Sequence, residues 1–214
     1  DPKDLVHRYN ISHKKNAIEV LGPIGLNLKD FSYNKWNDQK KISFIFIARL
    51  IAEKGIFEYL EAAKIVKKKY PEVIFKIIGC LDVENPTGLK QKELDRLIKI
   101  GIIEYDGFVK DVAQRICNSA VFVLPSYYRE GVPRSMQEAM AVGRPVITTD
   151  VPGCNETVVE GITGFIIPKW NVNALVEKMT YFIEHPEQVN KMGYQGFLYA
   201  RKNFNADHIN HRLL

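Results

Sequence analysis

Four side chains stand out for the chemistry they could do together. Arg49 and Lys54 lie in the stretch Ala48-Arg49-Leu50-Ile51-Ala52-Glu53-Lys54-Gly55, after an apolar run and before a helical one. Free backbone N–H groups at a helix entrance already favour an anion. Two cations there could hold a diphosphate, arginine as a planar fork and lysine as a point charge. The plain alternative pairs Arg49 with Glu53 and leaves Lys54 solvated. The acidic counterpart is Glu130 with Glu138, eight residues apart in the stretch that runs from Pro125 through Gly131, Val132, Pro133, Arg134 and Ser135. Were the whole interval helical, the two glutamates would be about 12 Å apart on nearby faces. A carboxylate only accepts hydrogen bonds, so each suits sugar hydroxyls. Here too a plain alternative exists, with Glu130 at a helix start and Glu138 in a surface ion pair.

A third region follows two other apolar runs. It comprises Gly79-Cys80-Leu81-Asp82-Val83-Glu84-Asn85-Pro86 and Gly107-Phe108-Val109-Lys110-Asp111. Backbone groups there could meet the edge of a base, or could be plain turns. His208 and His211 have no cysteine or carboxylate companion and read as surface residues.

These candidates need elements that bring them to one place. Ile42–Ile47, Val73–Ile78, Ala120–Leu124 and Pro145–Thr149 are near-continuous apolar runs, with Ile102–Tyr105 a shorter one. That is the text of parallel strands covered on both faces. Between them Ile56, Leu60, Ala63, Val66 and Tyr70 repeat at helical spacing until Pro71 stops them. Further helices are expected over Leu89–Ile100, Asp111–Asn118 and Pro133–Val142, with helical text from Asn173 to the end. Strand-helix-strand crossovers wind such elements into an α/β, Rossmann-like open parallel sheet with helices on both faces. Ligands then bind beyond the carboxyl ends of the strands, where all the candidates sit. Residues 1–40 do not join the pattern and read as the end of a preceding domain plus a linker, leaving 41–214 as the binding domain with a helical tail.

Composition sets outer bounds. With 214 residues, 46% hydrophobic and 26% charged, the chain can bury an ordinary core. Cys80, Cys117 and Cys154 are odd in number and form no CxxC, which argues against a disulfide framework or zinc site. No apolar run approaches a membrane span and no signal peptide opens the sequence. Because it starts at Asp1, the sequence reads as a piece of a longer protein. The net charge of +5 suits an anionic ligand or acidic membrane without singling out either. The densest basic groups, Lys67 to Lys69 and Lys90, Lys92, Arg96 and Lys99, read as solvated helix faces. No nucleic-acid motif is present, so no nucleic-acid partner is expected.

Taken in order, these segments resemble glycosyltransferase family 4, in particular the C-terminal, nucleotide-sugar-binding half of its GT-B fold. The resemblance covers roughly residues 40–200. It rests on Arg49-Leu50 to Lys54-Gly55, the Glu130-x7-Glu138 element, the stretch Glu138 to Ile147 with Gly143-Arg144-Pro145, and Gly161-Ile162-Thr163-Gly164-Phe165. Asp82 to Pro86 and Asp150 to Thr157 further resemble bacterial members that build surface polysaccharides or glycans on a polyprenyl-diphosphate carrier.

The resemblance implies retaining transfer of a hexose from a nucleoside-diphosphate sugar, commonly UDP-linked, with no obligatory metal or other cofactor. It implies diphosphate contacts from Arg49 and Lys54. Glu130 would hold the donor sugar, and the backbone from Gly131, Val132, Pro133, Arg134 to Ser135 would lie beside sugar and phosphate. Glu138 would hold the ribose, and the base would rest near Gly79 and Gly107, Phe108, Val109 and Lys110. The implied partners are a UDP-hexose or UDP-N-acetylhexosamine and, through the missing N-terminal half, a glycan or polyprenyl-linked acceptor. The implied location is cytoplasmic or peripheral at the inner membrane. Two residues depart from the family pattern: Ala48 stands where glycine is usual, and Pro133 lacks an N–H. The competing reading is a non-catalytic sugar-nucleotide-binding module. A dinucleotide oxidoreductase is disfavoured because no GxGxxG follows any strand, and a phosphorylase on the same fold would need pyridoxal phosphate.

Overall fold

The structure is a computed structural model that describes residues 25–128 and 131–210. Its centre is one sheet of β1 (Ser43–Ile47), β2 (Ile74–Ile78), β3 (Glu104–Tyr105), β4 (Val121–Leu124), β5 (Val146–Thr149) and β6 (Gly164–Ile167), in the order β3-β2-β1-β4-β5-β6. Every neighbouring pair is parallel, with Phe44 opposite both Phe75 and Val121 and Val146 opposite Gly164. The apolar runs predict this arrangement because a parallel sheet is hidden on both faces. Phe44, Ile45, Phe46, Val121, Phe122 and Val123 are all completely buried.

The helices are α1 (Ile56–Lys69), α2 (Gln91–Lys99), α3 (Val112–Cys117), α4 (Arg134–Ala141), α5 (Val172–Glu184), α6 (Glu187–Asn203) and α7 (Ala206–Asn210). Helix α1 buries Ile56, Tyr59, Leu60, Ala63 and Val66, while Tyr70, expected on that face, is its C-cap. It packs along α5, and α4 packs along α6. Sequence periodicity finds α4 to within a residue at each end. It does not find β6, a four-residue strand that opens on a glycine and is too short to show a period.

Two close approaches set the sheet's upper rim. A Cβ at Gly79 (φ 145°) would lie 1.8 Å from the Ala48 carbonyl oxygen, and one at Gly55 (φ 79°) 2.2 Å from that of Pro125. Only glycine allows the chain leaving β1 to touch the ends of both β2 and β4. The strand order reverses between β1 and β4, so the crevice beyond their carboxyl ends is the topological switch point where open α/β sheets take ligands.

At the lower rim, residues 26–36 lie along the domain. Leu26 N–H donates to the Phe204 carbonyl at 2.7 Å, and buried Trp36 exchanges hydrogen bonds of 2.9 and 3.0 Å with the Asn190 side chain. None of Cys80, Cys117 and Cys154 is paired in a disulfide among the described residues. Among the described residues no helix is long and apolar enough to cross a membrane. Residues 1–24 of the segment that does not join the strand-helix pattern, and His211, lie outside the described residues.

Candidate functional site

The two loops at the switch point are the ones that carry the candidate cations and acids. After β1 the chain alternates: Leu50 is buried completely in the core, while the Arg49 side chain is 61% exposed. A 3-10 turn, Ala52–Lys54, then leads through Gly55 into α1. Arg49 does not pair with Glu53. Its Nη1 lies 3.5 Å from Asp82 Oδ2, on the loop after β2. The Glu53 carboxylate instead accepts from Thr87 Oγ1 at 2.6 Å, and that bond, ahead of a lesser pull from Arg49, holds its pKa below the usual value. Lys54 Nζ stands 5.5 Å from the Tyr128 ring centroid.

The β4–α4 loop is fastened to this one through the Glu53 carbonyl. The Glu53 carbonyl accepts from Ser126 Oγ at 2.9 Å, Tyr127 N–H at 3.0 Å and Tyr128 N–H at 3.2 Å. Ser126 is completely buried, and its own carbonyl accepts from Thr149 Oγ1 at the end of β5. Three donors on one oxygen fix the spacing of the two loops, much as a hydrogen-bonded network fixes a core.

Helix α4 starts at Arg134, with Pro133 as its N-cap, φ −61° and ψ 129°. Pro133 has no side-chain acceptor to offer, so the helix opens without a side-chain cap, which leaves first-turn amides available to an anion. Residues 131–133 are bends and the cap rather than helix. The spacing of about 12 Å expected for a fully helical interval between Glu130 and Glu138 therefore does not apply. Glu130 itself lies outside the described residues. Glu138, with its side chain 14% exposed, accepts from Arg134 Nε at 2.9 Å, so the ion pair weighed for it in sequence is present. Gln137 is buried, donates to the Val132 carbonyl at 3.1 Å and steadies the loop ahead of the helix. Ser135 is in the first turn, and Gly131 is exposed with nothing within 4 Å of a Cβ built on it.

The third region also assembles. Gly79 N–H donates to the Gly107 carbonyl at 2.9 Å, and the Tyr105 hydroxyl reaches the Gly79 carbonyl at 2.9 Å. Phe108 beside them is 74% exposed; Val109 packs in part against the core and Lys110 is exposed. The fold thus gathers Arg49, Lys54, Gly79, Gly107 to Lys110 and Gly131 to Glu138 on one rim. Arg49 and Glu138 each carry a local ion partner there, Asp82 and Arg134.

Sequence inspection gave no site role to Ser126, Thr87, Tyr105 or Trp170. Trp170 is 58% exposed, meets the Tyr127 ring at a tilt with 5.3 Å between centroids, and has φ 60°. It is the one non-glycine with positive φ among the described residues, and its exposed aromatic side chain just after Pro168 was the available signal.

The model of the family described as glycosyl transferases group 1 matches residues 29–198. The chain belongs to the group 1 glycosyl transferases. Among similar group 1 proteins is the N,N'-diacetylbacillosaminyl-diphospho-undecaprenol alpha-1,3-N-acetylgalactosaminyltransferase of Campylobacter jejuni, 32% identical over 187 residues, or 82% of this chain and 47% of the relative. Another is the capsular polysaccharide biosynthesis glycosyltransferase CapM of Staphylococcus aureus, 30% identical over 97% of this chain and 57% of its own length. The solved structure of Anabaena HepE in complex with UDP-glucose superposes with a TM-score of 0.71 at 22% identity, over 82% of this chain and 48% of that one. The fold is therefore that of GT-B glycosyltransferases, and this group 1 chain spans about half the length of the curated relatives it matches.

Proposed function

We propose that the chain is the donor-binding half of a retaining glycosyltransferase that moves a hexose or N-acetylhexosamine from a UDP-sugar to a glycan or polyprenyl-linked glycan acceptor. The observation that carries this reading is the fastening of the Arg49–Lys54 loop to the loop entering α4, through the Glu53 carbonyl at the switch point. Breaking the anomeric C–O bond leaves growing negative charge on the diphosphate. Arg49, Lys54 and the uncapped start of α4 are preorganised to stabilise it, a contribution on the order of 3 kcal/mol per well-placed donor. One oxygen of Glu138 accepts from Arg134, and the carboxylate keeps further lone pairs for the ribose hydroxyls. Glu130 orients the donor sugar, and the Gly79–Gly107 shelf receives the base. The acceptor attacks the cationic sugar from the face the diphosphate leaves.

The names of the two relatives, one acting on a diphospho-undecaprenol-linked sugar and one in capsule synthesis, support a carrier-linked or surface glycan as acceptor. A polyprenyl-linked acceptor fits a proposed site of work at the cytoplasmic face of the inner membrane. The HepE complex with UDP-glucose supports a UDP donor. No metal is required in this scheme, so EDTA leaves donor binding unchanged.

A thermal-shift panel of UDP-, GDP- and ADP-sugars, followed by calorimetry, tests the assignment, since a bound ligand stabilises the fold by mass action. UDP-sugars give the largest shift, while the isolated chain, lacking the second half of the cleft, transfers nothing. Glu138→Ala weakens UDP and UDP-sugar alike, whereas Glu130→Ala weakens only the sugar-bearing ligand. Equal losses for both ligands in both variants, or robust transfer by the 214-residue chain, would overturn it.

A further inference from the structure

Between β2 and α2, residues 80–89 form a strap across the Arg49 loop. Leu50 N–H donates to the Cys80 carbonyl at 3.1 Å, Ala52 N–H to that of Thr87 at 3.0 Å, and Leu89 N–H returns to the Leu50 carbonyl at 2.8 Å. The Thr87 hydroxyl on Glu53 adds a side-chain stitch at 2.6 Å. Inside the strap, Asn85 N–H closes a turn on the Asp82 carbonyl at 3.2 Å, and Gly88 N–H closes another on that of Asn85 at 3.0 Å. Fastened from both sides, the strap carries the Asp82 carboxylate to 3.5 Å from Arg49 Nη1. Glu53, nearer to Arg49 in sequence, accepts the Thr87 hydroxyl and makes no ion pair with Arg49 among the described residues.

We propose that Asp82 is a built-in stand-in for the anionic ligand: it occupies Arg49 while the site is empty and competes with an incoming diphosphate for the same guanidinium. The proposal rests on the donor-binding role of Arg49 and adds to it a residue that sets affinity and selects by ligand charge. Carboxylate and phosphate oxygens are alternative partners for one planar fork of N–H donors. A half-exposed pair of this kind is weak, which fits a placeholder that yields to a ligand of higher charge. The retained aspartate then repels a ligand in proportion to the negative charge brought beside it. Its removal therefore favours a diphosphate more than a monophosphate.

The test is titration calorimetry of the 214-residue chain and its Asp82→Asn variant with UDP, UMP and inorganic pyrophosphate at low and high salt. Asp82→Asn binds UDP and pyrophosphate about two- to fivefold tighter at low salt. UMP gains less, and the advantage shrinks as salt screens the exposed charges. In an Arg49→Ala background the gain from Asp82→Asn shrinks to what charge repulsion alone supplies, because the contested cation is gone; an undiminished gain there counts against the competition. Asp82→Ser repeats the measurement should the asparagine disturb the strap. Unchanged or weaker diphosphate binding in both Asp82 variants, with the wild type binding normally, overturns the proposal and makes Asp82 a residue that positions Arg49 for its ligand. Failure of the wild type to bind any of the three probes is a different result, and sinks the donor-site reading together with this one.

Discussion

Replacing Arg144 is expected to cost this fold more than almost any change at the candidate site. Arg144 is completely buried and is the largest fully buried side chain among the described residues. No carboxylate is among its hydrogen-bond partners. Nε donates to the Ser119 carbonyl at 2.6 Å, and Nη2 to the Cys117 carbonyl at 2.7 Å and to Asn34 Oδ1 at 3.0 Å. Nη1 faces the carbonyls of Asn34, Gly143 and Val142. Cys117 ends α3 and Val142 caps α4, so one guanidinium serves the negative ends of two helices. Burial draws its pKa below the usual arginine value, and the converging carbonyl dipoles are what make a charge tolerable there. Arg144→Met strands at least the Ser119 and Cys117 carbonyls, at about 1–3 kcal/mol for each buried orphan. With the Asn34 side chain also losing its partner, a total of roughly 3–5 kcal/mol is expected. At this chain length that corresponds to a fall in Tm of roughly 6–20 °C. Arg144→Lys keeps the charge but cannot fork across both helix ends, and falls between. Asn34→Ala alone costs about 1 kcal/mol, and the double variant loses less than the sum because the two share a bond. Thermal and urea unfolding of the four variants beside wild type read these values. A drop below about 3 °C for Arg144→Met would refute the reasoning.

Three further outcomes follow from local geometry. Gly79→Ala forces a Cβ into the Ala48 carbonyl at a φ of 145° and is expected to destabilise by at least about 3 kcal/mol, measured as the urea midpoint. Gly131→Ala meets no atom within 4 Å, so stability should stay within about 0.5 kcal/mol of wild type. The added methyl at the α4 entrance should nevertheless weaken UDP-sugar binding by roughly tenfold, to be read by calorimetry. Glu58 has an Oε2 buried without a hydrogen-bond partner, and burial raises its pKa. A raised folded pKa favours the protonated acid. The contribution of Glu58 is therefore fully present below its unfolded value near about 4.3 and is lost as pH rises through the higher folded one. Glu58→Gln removes that loss, so its stability relative to wild type should climb across this window and level off at neutral pH. The opposite slope in unfolding curves would contradict the assignment.

The elements were legible in the sequence because their signals are local. Four apolar runs marked the inner strands, and the repeat from Ile56 to Val66 marked α1, since burial on both faces or on one stripe leaves its trace in consecutive residues. The candidate cations Arg49 and Lys54 and the acid Glu138 could likewise be read from short spacings, and with parallel strands they fall on one rim without further information. What the chain could not declare residue by residue was partnership. Arg49 had an acid four positions away in Glu53, yet pairs with Asp82, 33 residues on. Residues 1–40 stood outside the strand-helix pattern, and nothing in them announced that Asn34 meets Arg144 across 110 residues or that Trp36 meets Asn190 across 154. Such contacts are set by which strands become neighbours and by the glycines that let loop backbones touch. Crossovers and close approach belong to the assembled sheet, so the tertiary structure alone decided which charge faces which.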